Sequence, residues 1–388
     1  MKTMTLRTVP ALLLVAFSGA ASAAAFQLLE QNASGLGTAY AGSAAVADNA
    51  STVFFNPAGM TQLTGFQLSA GVTGVGPSYQ YRSNTGVESG GDAGGWKAVP
   101  NGYMSWQMTK DLYLGFGVSA PFGLATEYDS TWAGQALAIK SEIKTINFNP
   151  SVAYRVNDKV SLGFGINYQT IDGELTRNPG ALVTLKGDDA SWGWNAGALF
   201  SLSPAMRVGV AYRSAIKHRL EGTINGALPI RADVELPDTF TLSVWQQVSD
   251  RWEAMGDLSF TRWSTLQRFD VYRRADNVLL PGSEVFNYDD SWRIAWGAAY
   301  KLNDAAKLKF GIAYDRTPVR NESRSPRVPD NDRLWLSLGG QWNAGSYGKF
   351  DLGYSYLYVK DPSITQAPLN GKYDASAHIL GLQYSVGF

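Results

Sequence analysis

Across 388 residues the chain carries 33 basic and 33 acidic side chains and no cysteine. Zero net charge leaves no basic footprint for nucleic acid, and the lack of cysteine excludes disulfides and thiolate metal sites. His218 and His378 lie far apart in sequence and suggest no His-rich metal cluster, so neither a metal nor a cofactor is expected.

Met1 to Ala23 reads as a secretory signal. Lys2 and Arg7 form a positive start, Ala11 to Phe17 an apolar core, and Ala21-Ser22-Ala23 a small-residue cleavage site. That apolar run is too short to span a bilayer, and no later segment approaches the roughly 20 apolar residues a spanning helix needs. The chain therefore reads as exported, without a helical anchor.

Residues 24–64 fit no strand. They are rich in small residues, moderately apolar and free of long charge runs, unlike a disordered tail. Gly35, Gly37 and Gly42 superficially suggest a phosphate loop, but no strand precedes them and no Lys-Ser/Thr follows. Close backbone packing against a wall is the simpler use of these glycines. Such a segment, placed before the first strand, predicts a plug inside a lumen.

Fourteen stretches then alternate apolar with polar or small residues: 66–81, 97–108, 111–119, 140–155, 159–175, 190–202, 205–221, 238–249, 251–263, 291–302, 306–318, 331–343, 348–360 and 376–388. Leu308, Phe310, Ile312 and Tyr314 oppose Lys307, Lys309, Gly311 and Ala313. Leu380, Leu382 and Tyr384 likewise oppose Gly381, Gln383 and Ser385. A strand with one face in lipid and one in a lumen must repeat every two residues. A soluble sandwich also alternates, but here the connections are short and long by turns. Tight turns such as Asn157-Asp158 and Ser203-Pro204 alternate with long loops at 82–96, 120–139, 176–189, 222–237, 264–290, 319–330 and 361–375.

Only helices or closed barrels satisfy the backbone in a bilayer. The prediction is an all-β protein of the Gram-negative outer membrane: a fourteen-stranded antiparallel transmembrane barrel over 65–388, with 24–64 as an N-terminal hatch. An even strand count leaves both termini in the periplasm. Phe388 ends an alternating strand, as bacterial outer-membrane barrels do, and Tyr168, Trp192, Trp292 and Tyr300 suit aromatic girdles. Pro150 interrupts the fourth strand, where a bulge is the simplest expectation.

From Ala24 to Phe388 the chain resembles the FadL family of long-chain fatty acid outer-membrane transporters. The resemblance rests on Ala24 to Gln27, Ser34-Gly35-Leu36-Gly37, Ala39-Tyr40, Asp48 and Asn56-Pro57-Ala58. It continues through Gly123-Leu124-Ala125-Thr126-Glu127, Ala153-Tyr154-Arg155, Gly193-Trp194-Asn195-Ala196-Gly197, Tyr212-Arg213-Ser214, and Pro329-Asp330 through Asp332-Arg333 with Trp335. The family has a fourteen-stranded barrel with a hatch.

The resemblance implies capture of an amphiphile outside, an apolar pocket above the hatch, and lateral exit at a kink in the third strand contacted by the Asn-Pro-Ala turn. It places that kink at Ser119, Ala120, Pro121 and Gly123, with Asn56, Pro57 and Ala58 against it. Pro121 has no backbone donor and must break a ladder bond if it lies in the paired wall; alternatively it begins the outer loop. Arg177 aligns with a family arginine that meets the ligand head group, and its plain alternative is a solvated charge at a loop base. A family lysine of the same role aligns near Glu284, so that cation is absent or replaced here. The loop 176–189 is also much shorter than the fatty acid transporter's.

The expected function is passive transport of hydrophobic compounds, first long-chain fatty acids and second monoaromatic hydrocarbons. A general porin would lack a hatch, and a hydrolase would need a nucleophile and base brought together; no catalytic residue is assigned. Burying ~15 methylenes is worth roughly 12 kcal/mol gross, too tight for release from a static pocket. A movable plug competing for the same surface resolves this, with Phe26 as the residue placed there. The partners are the hydrophobic ligand and outer-membrane lipid, and the protein is expected to act as a monomer.

Overall fold

Strand pairing occupies most of the chain from Phe66 to Gly387 in the computed structural model, which describes residues 25–388. The expected signal, residues 1–23, lies outside the described residues. Fourteen wall strands follow one another: β1 (Phe66–Ser83), β2 (Lys97–Gln107), β3 (Leu112–Ser119, resuming as Gly123–Glu127), β4 (Lys140–Arg155), β5 (Val160–Arg177), β6 (Val183–Ser203) and β7 (Met206–Arg213, resuming as Ile216–Ile224). They continue with β8 (Leu228–Leu236, resuming as Thr239–Gln247), β9 (Trp252–Thr261), β10 (Ser291–Lys301), β11 (Ala306–Asp315), β12 (Arg333–Asn343), β13 (Lys349–Val359) and β14 (Gly371–Gly387). Each pairs antiparallel with its neighbours, and β14 returns to β1 from Gln67↔Gly387 to Ser83↔Gly371. The sheet is a closed barrel, which leaves no free edge for the bilayer to penalise.

The period-2 faces fall as the alternation requires. Leu308, Phe310, Ile312, Leu336, Leu338, Leu380 and Leu382 are exposed on the outside, while Lys309, Ser337, Gln383 and Ser385 are buried within. Pro150 needs no bulge. It stays in register opposite Phe116, and the Asn149 side-chain amide donates to the Ile166 carbonyl at 2.9 Å, serving an acceptor beside the missing proline N–H.

Two of the expected long loops are instead paired wall. β5 and β6 run on until only residues 178–182 separate them, and β7 and β8 until only 225–227 do. Asn225 and Gly226 both take positive φ, 52° and 68°, as a tight hairpin turn requires. The reason is a reversal of polarity. In the membrane-facing half of β5, Leu162, Phe164 and Ile166 point outward and Asn167 inward. Beyond it, Asp172 points outward and Ile171 inward. β7 does the same, with exposed Lys217, Arg219 and Glu221 alternating with buried Ile216, His218 and Leu220.

The wall is broken where this reversal occurs. β3 is interrupted at 120–122, β7 at 214–215 and β8 at 237–238. Between β6 and β7 the ladder stops from Asp188↔Glu221 to Asn195↔Arg213. Side chains take its place: the Arg219 N–H donates to Asp189 at 3.2 Å, Ser191 Oγ donates to the Lys217 carbonyl at 2.6 Å, and the Trp194 N–H donates to Ser214 Oγ at 2.9 Å.

Residues 25–64 lie against the inner wall, where small residues make room for them. A Cβ on Gly311 would come 2.1 Å from Thr38 C, and one on Gly209 would come 1.9 Å from the Ala44 carbonyl oxygen. The segment is mostly irregular, with one short α-helix, α1 (Thr52–Phe55), and two 3₁₀ turns, Leu36–Thr38 and Pro57–Gln62, so many of its backbone groups need other partners. Lumen side chains supply several: Gln383 accepts from the Ala33 N–H at 3.1 Å, Ser243 from the Ala44 N–H at 3.0 Å, and Lys309 donates to the Ser34 carbonyl at 2.8 Å.

Glu30 in this segment is fully buried. Burial pushes its carboxyl up from 4.5 to about 7, against the pull of nearby backbone amides and of Arg333 and Arg293. The folded state therefore binds the proton more tightly than the unfolded chain. Stability from this group is greatest below about 4.5, falls as pH rises towards about 7, and is level above that. Proteolysis of the segment in the folded barrel is expected to accelerate across this interval, and Glu30→Gln to remove the dependence. Digestion of the unsubstituted protein that ignores pH would contradict the assignment.

Candidate functional site

The polarity reversal builds an apolar cup. Ile143 on β4, Ile171 and Leu175 on β5, Leu185 on β6, Leu220 on β7 and Ile230 on β8 all turn inward at this level and line one pocket. Three glycines hollow its wall. Gly173 pairs with Gly187, which pairs with Gly222, in a row flanked by Ile143 and Ile230. The space between the pocket atoms, open mouth included, is about 810 Å³. The charged side chains in its lining are Glu284 and Arg327.

Phe26 closes the inner end. Its ring meets Trp263 edge-on at 4.8 Å between centroids, and Phe122 lies 6.2 Å from each of them. Beyond these rings is a second space, lined by Tyr40, Phe54, Phe55, Pro57, Pro121 and Arg213 among others. The three aromatic rings thus stand between an apolar cup and a more polar chamber.

Pro121 sits in a true kink of the wall. Below it Ser119 pairs with Asn147, and above it Gly123 pairs with Lys144, so β3 carries one residue more than β4 across the break. On the other side, β2 joins β3 only from Gly102↔Val118 downward, and Lys97 to Asn101 are paired with β1 alone. The wall is therefore open between β2 and the upper part of β3.

The freed backbone is served from within. The Gln31 side chain donates to the Ala120 carbonyl at 2.8 Å and accepts from the Ala120 N–H at 3.1 Å. The Leu28 N–H donates to the Pro121 carbonyl at 2.8 Å, and the Gly123 N–H donates to the Phe26 carbonyl at 2.9 Å. Thr145 on β4 accepts from the Phe122 N–H and donates to its carbonyl, at 3.0 and 2.7 Å.

The structure thus brings Phe26, Ala120, Pro121 and Gly123 together, with Ser119 buried just below. The partner of the kink differs from the one the resemblance implies: it is the strip from Phe26 to Gln31. Asn56 and Ala58 instead seat on β5 and β6. A Cβ on Gly163 would strike the Ala58 nitrogen, one on Gly197 would strike Asn56 Oδ1, and Asn56 donates to the Ala44 and Ala198 carbonyls at 2.7 and 3.0 Å. Pro57 reaches the kink region only across the second chamber. Arg177 is half-buried outside the pocket lining, its guanidinium donating to the Pro281 carbonyl at 3.2 Å.

Sequence reasoning did not find Gln31, Trp263, Arg327 or the glycine row. Glycines at 173, 187 and 222 carry no shared spacing, and only strand register aligns them. Among the described residues no cluster of His, Cys, Asp or Glu is arranged to hold a metal ion.

Residues 14–388 match the family described as outer membrane protein transport protein (OMPP1/FadL/TodX). The chain belongs to this family. It is 32% identical to outer membrane protein P1 of Haemophilus influenzae, over 88% of each chain. It is 28% identical to the long-chain fatty acid transport protein of Escherichia coli, over 100% of this chain and 99% of that one. A Pseudomonas aeruginosa FadL homologue of known structure superposes with a TM-score of 0.88 at 23% identity, covering 94% of this chain and 100% of that one. The Pseudomonas putida toluene transporter TodX does so with a TM-score of 0.71 at 18% identity, covering 92% and 98%. Like the rest of the FadL family, the barrel resides in the outer membrane.

The glycine row offers a direct test of the cup. A Cβ on Gly173 would meet Leu220 and the Gly187 carbonyl only at 3.7 and 3.8 Å, in ordinary contact. Gly173→Val is expected to leave the barrel folded and to weaken oleate binding by about 1–3 kcal/mol, the usual cost of overfilling a packed space. Titration of the purified variant checks this, and an unchanged affinity would place the ligand elsewhere.

Proposed function

We propose that the protein moves hydrophobic compounds passively across the outer membrane, long-chain fatty acids first among them. The observation that carries this reading is the apolar cup bordered by a gap in the barrel wall. Relatives named as long-chain fatty acid transport proteins match along nearly their whole length, which supports the ligand class. Ligand enters the cup from outside and displaces Phe26 from between Phe122 and Trp263. Because the Phe26 to Gln31 strip also holds the kink, that displacement loosens the backbone at Ala120 to Gly123. The ligand then leaves through the gap between β2 and β3 into outer-membrane lipid.

In this reading residues 24–64 are the hatch, with Asn56, Pro57 and Ala58 anchoring it to β5 and β6 while the Phe26 strip moves. The protein works as a monomer, as a channel without catalysis and without a cofactor. Uptake of monoaromatic hydrocarbons is the second reading. It draws on the fully apolar lining beside the Arg327–Glu284 pair.

A cysteine at Ala120 cross-linked to one on the facing end of β2 tests the route, and no native thiol interferes. Oleate uptake is expected to stop while equilibrium binding of oleate persists. Uptake that survives a verified cross-link would show that ligand passes through the hatch. Stronger retention of toluene than of oleate by the uncross-linked protein would favour the second reading.

A further inference from the structure

Arg327 and Glu284 form an ion pair inside a pocket that is otherwise apolar. Arg327 Nε lies 2.8 Å from Glu284 Oε1, and the two side chains are 6% and 16% exposed. The remaining nitrogens of Arg327 are also engaged. Nη1 donates to Ser141 Oγ at 2.9 Å and to the Lys140 carbonyl at 3.1 Å, and Nη2 donates to the Leu137 carbonyl at 2.8 Å. Lys140 offers no second cation to the pocket, because its ammonium pairs with Glu142 and Glu174 at 3.2 and 3.3 Å on the opposite face of the wall.

We infer that Glu284 is a specificity-determining residue that occupies Arg327 and biases the pocket towards uncharged head groups. The inference rests on the transport reading above and deepens it. An ionised carboxylate entering the cup meets a cation already neutralised. It must either displace Glu284 or lie beside it as a like charge in surroundings that screen poorly. An ester, a hydrocarbon or a protonated acid meets neither obstacle. Ligands that differ only in head-group charge should therefore be sorted by Glu284, whereas length is sorted by the glycine-hollowed wall.

The test compares oleate with methyl oleate on the purified full-length barrel, at a pH where the free acid is ionised. The unsubstituted protein should bind methyl oleate at least as tightly as oleate. Glu284→Gln preserves the side-chain shape and leaves Arg327 uncompensated. It should tighten oleate binding by roughly tenfold or more, the scale of one hydrogen bond to a charged group. Methyl oleate should change little, which also reports that the pocket is intact.

A clear preference of the unsubstituted protein for oleate would overturn the inference, as would an unaltered preference in the variant. Loss of both ligands in the variant would show that Glu284 holds the pocket together and does not filter its contents. If the unsubstituted protein binds neither ligand, the pocket assignment itself fails and this inference falls with it.

Discussion

Every backbone N–H and carbonyl within the bilayer must find a partner inside the protein, and the architecture follows from that demand. Closure of β14 onto β1 answers it for the wall as a whole. Local departures from the ladder are each answered by a side chain: Asn149 beside Pro150, Asp189 and Ser191 between β6 and β7, and Gln31 and Thr145 at the kink. The kink is unlike the others in one respect. Gln31 belongs to the irregular N-terminal segment, whose hold on the wall is a set of separate contacts and not a continuous ladder. The backbone at this break is thus satisfied by separate contacts from another segment, without a continuous ladder.

The same chain obeys two opposite polarity rules along its length. Where lipid lies outside, apolar residues face out and Asn, Ser and Thr fill the lumen. Beyond the lipid, charges such as Lys217 and Glu221 face out and Ile216 and Leu220 turn in. The pocket is thus the inner surface of the part of the barrel that has left the hydrocarbon.

This explains what was legible in the sequence. The fourteen membrane-crossing stretches were readable because one face of each strand is in lipid and alternation is strong there. The outer halves of β5 and β7 read as strand as far as 175 and 221, whereas 183–189 of β6 and 228–236 of β8 read as loop, because the polar face there points outward among charged residues. Pro121 was legible as a disruption, since proline cannot complete a ladder, but which segment would cap the break was not. Gln31 has no local signal: its amide matters only because the fold brings it to Ala120. Arg327 was hidden for a similar reason: the resemblance pointed to Glu284, but the two residues are on separate loops that meet only over the pocket. Asn56, by contrast, stood out by resemblance, and the structure gives it close seats on Gly163 and Gly197 through its own turn.

The interruptions of β3, β7 and β8 all fall where the outward faces change from apolar to charged. β4, β5 and β6 stay laddered to one another through the same level, while β3, β7 and β8 are held there by side chains and short irregular links. Strain at one of these links need not pass along its own strand, so mechanical compliance is confined to three separate points of an otherwise stiff wall.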